Sequence, residues 1–367
     1  MRGHPGEFRC GIEHESALLR PDGRFADFTN TTFAELQSIV DELPFSDDDY
    51  PGLRIGDLGI KLKRWYVEGF ERFDHDGELL RCDPKGIEIR TVVHNDPAEA
   101  VTALTADYKL LDAAATRAGF TLVTVGFNPF EPVYRVEPEL NSWELAHRVG
   151  SPEDRTAHLH MTTYGPDLNL SFVGMQDDVL IDAGAKLTHY SPYIVPFTFC
   201  SPFYAGKPWG GLSVRTHIRT GRRPAAMVFL PADSAMLDSD PSLTQPARIP
   251  GEAGRIEFKA FDPCEDFELY GDLLTLLKGI VLDTSLLGRR IVPDAALHKV
   301  SARSGYRNSE IRAGADDVLR AAAAALAPAE ARRIAALRGR WEAAACVAEK
   351  MIQRYEAGDP VAGLRKV

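Results

Sequence analysis

Three separated stretches of this chain alternate charged with apolar residues, and that alternation limits the fold more than any other feature. In Gly11-Ile12-Glu13-His14-Glu15 two glutamates lie two residues apart. Successive side chains of a strand point to opposite faces, so Glu13 and Glu15 share one face while Ile12, His14 and Ser16 share the other. Gly86-Ile87-Glu88-Ile89-Arg90 sets Glu88 and Arg90 against Ile87 and Ile89. Arg255-Ile256-Glu257-Phe258-Lys259 sets Arg255, Glu257 and Lys259 against Ile256 and Phe258. Each stretch offers one face to a core and one charged face. Like charges side by side on a strand repel unless solvent or a cation separates them, and a divalent metal with oxygen ligands answers that cost. A solvent-facing sheet shows the same alternation. If the three strands are neighbours in one sheet, they build a single wall of acids and bases.

Further strands are expected at residues 62–73, 121–125, 168–173, 212–218 and 225–230, in addition to 10–19, 86–93 and 255–261, where alternating, β-branched or aromatic residues concentrate. The clearest helix start is Asp96-Pro97-Ala98-Glu99, a cap, a proline at the first helical position and an acid three residues beyond the cap. Val101, Leu104, Tyr108 and Leu111 continue it at helical spacing, and Gly119 ends it. A second helix is expected over residues 178–190, closed by Ser191-Pro192. The Ala/Arg/Glu-rich segment 309–356 reads as two helices, the second opening at Pro328. Strands and helices do not alternate regularly, so the class is α+β with a large antiparallel sheet.

Composition narrows the function. In 367 residues, 44% hydrophobic and 26% charged, the chain has the make-up of a soluble globular protein and can bury a large core. Lys plus Arg at 42 against Asp plus Glu at 53 leaves a net charge of -11. That balance disfavours a nucleic-acid partner, although small acidic substrates need only a local basic pocket. The N-terminus lacks the apolar core of a signal peptide and no window approaches the run of about 18 apolar residues that spans a bilayer, so no membrane partner and a cytoplasmic location are expected. Five cysteines lie far apart with no CxxC pair, which fits reduced structural thiols.

Two more patterns carry chemistry. In His158-Leu159-His160, read as a strand, both imidazoles fall on one face, where they can join carboxylates on a metal or contact a phosphate. In the expected strand at 212–218, Arg215 and the following Arg219 share a face, and guanidinium groups suit bidentate contact with phosphate or carboxylate.

Taken in order, these stretches resemble the superfamily of glutamine synthetase and glutamate–cysteine ligase, the carboxylate–amine ligases. Gly11 to Glu15 resembles the G-[IV]-E-x-E opening strand of the glutamate–cysteine ligase type, and Gly86 to Arg90 the second acidic strand, also followed by a long helix. His158-Leu159-His160 is similar to the H-x-H strand after that helix. Cys200-Ser201-Pro202-Phe203, Gly206 and Ser213-Val214-Arg215 resemble the N-S-P-F…G…S-x-R region of the bacterial ligases. Arg255 to Pro263, continuing into a helix with Leu273, Leu274 and Leu277, is similar to the R-[IV]-E-x-R-x-x-D-P strand and helix of glutamine synthetase.

The resemblance implies a glutamine synthetase-like catalytic fold over residues 1–300, a curved, mainly antiparallel sheet with flanking helices, and C-terminal helices packed on it over 301–367. It implies ATP and Mg²⁺ (or Mn²⁺), held by Glu13, Glu15, Glu88, His158 and Glu257. A further acid on the preceding hairpin is Glu68 or Glu71, of which Glu68 is preferred. Arg215, Lys259 and Arg90 are the expected catalytic cations, with Arg215, Lys259 and His160 at the nucleotide phosphates. The reaction implied joins a small-molecule acid to an amine through an acyl phosphate, with the glutamate γ-carboxyl and cysteine or another amine as leading substrates. A phosphotransferase or a non-catalytic nucleotide-binding protein on the same scaffold is the alternative, and assembly into a homo-oligomer is compatible with either. Two departures stand out: Lys259 replaces a customary arginine, a point charge for a fork, and Cys200 replaces the asparagine before Ser-Pro-Phe.

Overall fold

The computed structural model describes residues 6–49, 62–148, 156–219, 223–238, 243–344, 346–356 and Leu364. In chain order the strands are β1 (Phe8–Leu19), β2 (Phe25–Ala26), β3 (Trp65–Phe73), β4 (Leu79–Arg90), β5 (Thr121–Val123), β6 (Pro166–Phe172), β7 (Phe203–Tyr204), β8 (Lys207–Pro208), β9 (Ala226–Leu230), β10 (Thr244–Pro246) and β11 (Arg255–Phe258). Nine of them form one curled sheet in the order β10-β9-β11-β6-β1-β4-β3, with β2 and β5 pairing with β1. Every pairing but β9 with β10 is antiparallel. The three acid-bearing strands, β1, β4 and β11, are therefore in one sheet, as their patterning required.

Helices cover one face of the sheet because that face is apolar. Ile12, Ile87, Ile89, Leu168, Leu170, Ile256 and Phe258 from the strands join Leu104 and Leu111 of α2 (Pro97–Arg117) in one buried cluster with Leu273, Leu274 and Leu277 of the helix Glu268–Leu282. Burying each large apolar side chain contributes about 1.5–3 kcal/mol, so the alternation fixes which face turns inward. His14 lies on this side too, with its Nδ1 2.9 Å from the Tyr270 hydroxyl. α2 begins as its cap predicts, with the Asp96 carboxylate accepting from Ala98 N at 2.6 Å, and Gly119 at φ +81° follows its end.

Several expected elements differ. With α1 (Phe33–Asp41), α3 (Ser142–Arg148) and the short α4 (Ala157–His160) numbered first, the helix expected at 178–190 is α5 (Asp177–Ile194), which runs through Pro192. The missing N–H of Pro192 leaves the Thr188 carbonyl without its helical donor, and the Ser191 hydroxyl donates to that carbonyl instead, at 2.9 Å. Residues 212–218, expected as a strand, instead lead into α6 (Val214–Arg219). Ser213 accounts for this as the cap, its hydroxyl accepting from Thr216 N at 2.9 Å. His158-Leu159-His160 is α4 rather than a strand, closed on itself by Leu159 N donating to Thr156 O at 2.9 Å.

After α7 (Glu268–Leu282) and α8 (Ala295–Ser304), the C-terminal segment forms three helices rather than two: α9 (Ser309–Ala325), α10 (Pro328–Ala343) and α11 (Val347–Glu356). α10 is closed by Ala344 in the left-handed region at φ 48°, a conformation with no residue signature in alanine. α9 packs onto α7 at Gly279, where an added Cβ would lie 2.7 Å from that of Ala322. Among the described residues, no helix is long and apolar enough to cross a membrane.

Candidate active site

The charged face of the sheet carries a row of acids contributed by five strands. Pairing sets Glu13 opposite Arg90 on β4 and Asp167 on β6, Glu15 opposite Glu88, Glu257 opposite Asn169, and Tyr66 of β3 opposite Glu88. Two groups of potential metal ligands result. Glu13, Asp167 and Glu257 bring carboxylate oxygens within 4.8 Å of one another, and Glu15, Glu68 and His160 do the same with two carboxylates and an imidazole. Glu88 is buried and feels Glu68, Glu15, Glu13 and Asp167.

In the first group the Lys259 ammonium contacts both Asp167 and Glu257. The Arg255 guanidinium lies 3.4 Å from Glu13 and 3.3 Å from Glu257. Asn169 links them, accepting from Arg255 at 3.1 Å and donating to Glu13 at 3.1 Å. In the second group His160 Nε2 is 2.6 Å from Glu68, and Lys85 Nζ is 2.6 Å from Glu15.

The electrostatics are those of a cluster short of positive charge. Burial, then the neighbouring acids, drive the carboxyl of Glu88 well above the usual range. Burial and Glu257 raise Glu13, and burial outweighs the adjacent Lys259 to raise Asp167 well up. Burial works the same way on Glu257 and Glu15, but Lys259 and Arg255 overcome it at Glu257, and Lys85 and His160 at Glu15, so both fall below the usual range. Carboxyls driven toward protonation by burial and by one another, with oxygens converging from several strands and one imidazole, fit a hard divalent cation such as Mg²⁺ or Mn²⁺.

Cations flank the acids on two sides. A cavity of about 460 Å³ opens beside the first group, lined by Glu13, Asn169, Arg9, Arg64, Arg90 and Arg255 among others. On the other side α6 presents Arg215 and Arg219, one turn apart, with Arg223 following, all buried. Burial, with Arg219 adding to it, pulls the Arg215 guanidinium down to about 10. Arg215 Nη2 donates to the Lys259 carbonyl at 2.8 Å, while its Nε and Nη1 are buried without a hydrogen-bond partner. Such donors suit an incoming anion. The Ser-Pro-Phe, Ser-x-Arg and Asp-Pro segments hold this helix: Asp262 accepts from Ser201 Oγ at 2.6 Å, Ser213 Oγ at 2.9 Å and Cys200 N at 3.1 Å. Cys200 points into the core, its thiol donating to the Pro263 carbonyl at 3.1 Å.

Of the residues singled out from sequence, Glu13, Glu15, Glu68, Glu88, Glu257, Lys259 and His160 meet in this cluster, Arg90 lines the cavity and Arg215 flanks it. Of Glu68 and Glu71, Glu68 has its carboxylate against His160. His158 is exposed, because a helical turn rotates neighbours by about 100° where a strand would align alternate residues. Sequence reasoning missed Asp167, Asn169 and Lys85. Asp167-Leu168-Asn169-Leu170 repeats the polar–apolar alternation of the other strands, and that signal could have found the first two.

No protein-family model and no curated protein matches the chain. Solved structures do. A bifunctional glutathione synthetase from Pasteurella multocida superposes with a TM-score of 0.56 at 11% identity over 97% of this chain and 51% of that one. A glutamate–cysteine ligase from Francisella tularensis, solved in complex with AMP, gives a TM-score of 0.56 at 11% identity over 98% of this chain and 87% of that one. The chain has the glutamate–cysteine ligase fold. It spans about half the length of the Pasteurella protein. The glutamine synthetase-like scaffold expected from the motifs is thus the one observed, at an identity that speaks for the fold alone.

Proposed function

We propose that this chain is an ATP-dependent carboxylate–amine ligase that forms an amide through an acyl phosphate. The observation that carries the reading is the convergence of Glu13, Glu15, Glu68, Glu88, Asp167 and Glu257 from five strands between an arginine-lined cavity and the buried arginines of α6. The ligase fold shared with the Pasteurella and Francisella proteins supports it.

A carboxylate does not react with an amine at neutral pH, so it must first be activated. In the proposed reaction a substrate carboxylate oxygen bonds to the γ-phosphorus of ATP and the bond to the ADP oxygen breaks. The amine nitrogen then bonds to the acyl carbon, loses a proton, and inorganic phosphate leaves. Mg²⁺ or Mn²⁺ held by Glu13, Asp167 and Glu257, with Glu68, Glu88 and His160, would neutralise phosphate oxygens. Arg255 and Arg90 bind and orient the polyphosphate from the cavity side. Arg215 and Lys259 offset charge on the transferred phosphoryl group from the opposite side, where positioned cations supply most of the catalysis. No protein nucleophile takes part. The fork lost at Lys259 is offset by Arg219 one turn from Arg215.

The proposed acid is glutamate, through its γ-carboxyl, and the proposed amine is cysteine or a related amine, in line with the Francisella ligase of the same fold. The test is a matrix of acids and amines read by ADP and phosphate release and by product mass. Wild type should release ADP only when acid and amine are paired correctly. Glu257→Gln and Glu13→Gln should each lose at least about 100-fold in turnover, the scale of removing one transition-state electrostatic partner. Full turnover in both variants would refute the assignment.

A further inference from the structure

Lys85 stands apart from every other cation at the site. Its place in β4 predicts a core-facing side chain, since it alternates with Gly86 and Glu88. The pairing with β3 breaks there: Glu68 is opposite Gly86, Gly69 is opposite Pro84, and Lys85 is the extra residue between them. A bulge of this kind re-aims a side chain, and Lys85 is turned onto the acidic face. Its ammonium is completely buried. An ammonium has three N–H groups, and three oxygens receive them: Glu15 Oε1 at 2.6 Å, the Thr163 carbonyl at 2.8 Å and the His160 carbonyl at 3.0 Å. The other oxygen of Glu15 is also engaged, accepting from Gly165 N at 2.6 Å.

We infer that Lys85 is a built-in cation that takes the place of a divalent ion at Glu15, leaving the Glu13–Asp167–Glu257 group as the one tight metal centre of the free protein. Two backbone carbonyls anchor Lys85, so it cannot swing aside for an incoming ion, and a second cation close to it would be repelled. Lys259 differs. Its side chain reaches solvent, and among the described residues its ammonium is held by Asp167 and Glu257, both of them ligands of the first group. Glu15 is accordingly a positioning residue, fixing Gly165 and the segment that carries His160 against the sheet.

The inference rests on the metal-binding part of the ligase reading, and counting ions without nucleotide separates the two. Chelator-treated protein would be titrated with Mn²⁺, with free ion read by electron paramagnetic resonance. Wild type should bind one Mn²⁺ tightly and any second at least tenfold more weakly, and Glu257→Gln should lose the tight ion. Lys85→Met removes the ammonium at nearly constant volume and leaves the buried Glu15 without its closest cation. It should tighten the second ion at least tenfold, and its thermal midpoint should be low in chelator and recover with Mn²⁺. Two equally tight ions in wild type would overturn the inference while leaving the ligase reading intact, as would an unchanged second site in Lys85→Met. No Mn²⁺ bound by wild type would overturn both. Should Lys85→Met not fold, the wild-type count and Glu257→Gln still decide.

Discussion

Replacing Glu88 by glutamine should make the metal-free protein more stable and the metal-loaded protein less responsive. Glu88 is only 6% exposed, and burial with four neighbouring acids holds its carboxyl well above its ordinary value of 4.5. Over the interval between those two values the folded chain keeps a proton that the unfolded chain has released. Stability then falls as pH rises, by about 1.4 kcal/mol per pH unit for one proton. Below the ordinary value both states are protonated and the effect vanishes. Glutamine carries no such proton, so in chelator the variant should gain on wild type as pH rises above the ordinary carboxyl value, with a slope of up to about 1.4 kcal/mol per pH unit. Glu13 and Asp167 titrate in the same direction, and comparing the two proteins isolates Glu88. With Mn²⁺ at a hundred times its dissociation constant, wild type should recover about 2.7 kcal/mol, and the variant less. Urea unfolding at a series of pH values, with chelator and with Mn²⁺, measures both. Parallel pH curves for the two proteins in chelator would show that Glu88 holds no such proton and refute the reasoning.

Gly165 is a second place where small changes should be informative. A Cβ there would meet Arg215 Nη2 at 2.1 Å, so Gly165→Ala should displace the guanidinium, lowering turnover about 100-fold while stability falls by about 1–3 kcal/mol. Wild-type turnover with a shifted melting temperature would remove Arg215 from the reaction. Away from the site, Glu144 is buried and accepts from Arg72 at 2.7 and 3.0 Å and from the backbone of Phe73 and Asn141. Burial alone would raise its carboxyl, but these donors bring it down to about 2. Its contribution is complete above the ordinary value near 4.5 and is lost as pH falls through about 2. Glu144→Gln should cost about 3 kcal/mol at neutral pH by leaving the buried Arg72 charge without its carboxylate and should flatten the acid limb of the stability curve. An unchanged acid limb in urea titrations would contradict this.

The sequence by itself determined which faces exist. Period-two alternation placed Glu13, Glu15, Glu88 and Glu257 on charged faces and Ile12, Ile87, Ile256 and Phe258 on apolar ones, because that property belongs to each strand alone. The Asp96-Pro97 start of α2 and the Pro328 start of α10 were legible for the same reason: capping is settled within a few residues. Tertiary structure decided everything that depends on pairing. Register brought Asp167 of β6 to Glu13 and Glu257, and a bulge against β3 turned Lys85 from the core to Glu15. A helical turn in place of a strand put His160 beside Glu68 and left His158 exposed, and a serine cap made a helix of the segment carrying Arg215. Neighbouring residues cannot announce such choices, since the hydrogen bonds that fix a register join strands far apart in the chain, and a shift of one residue moves every side chain to the opposite face.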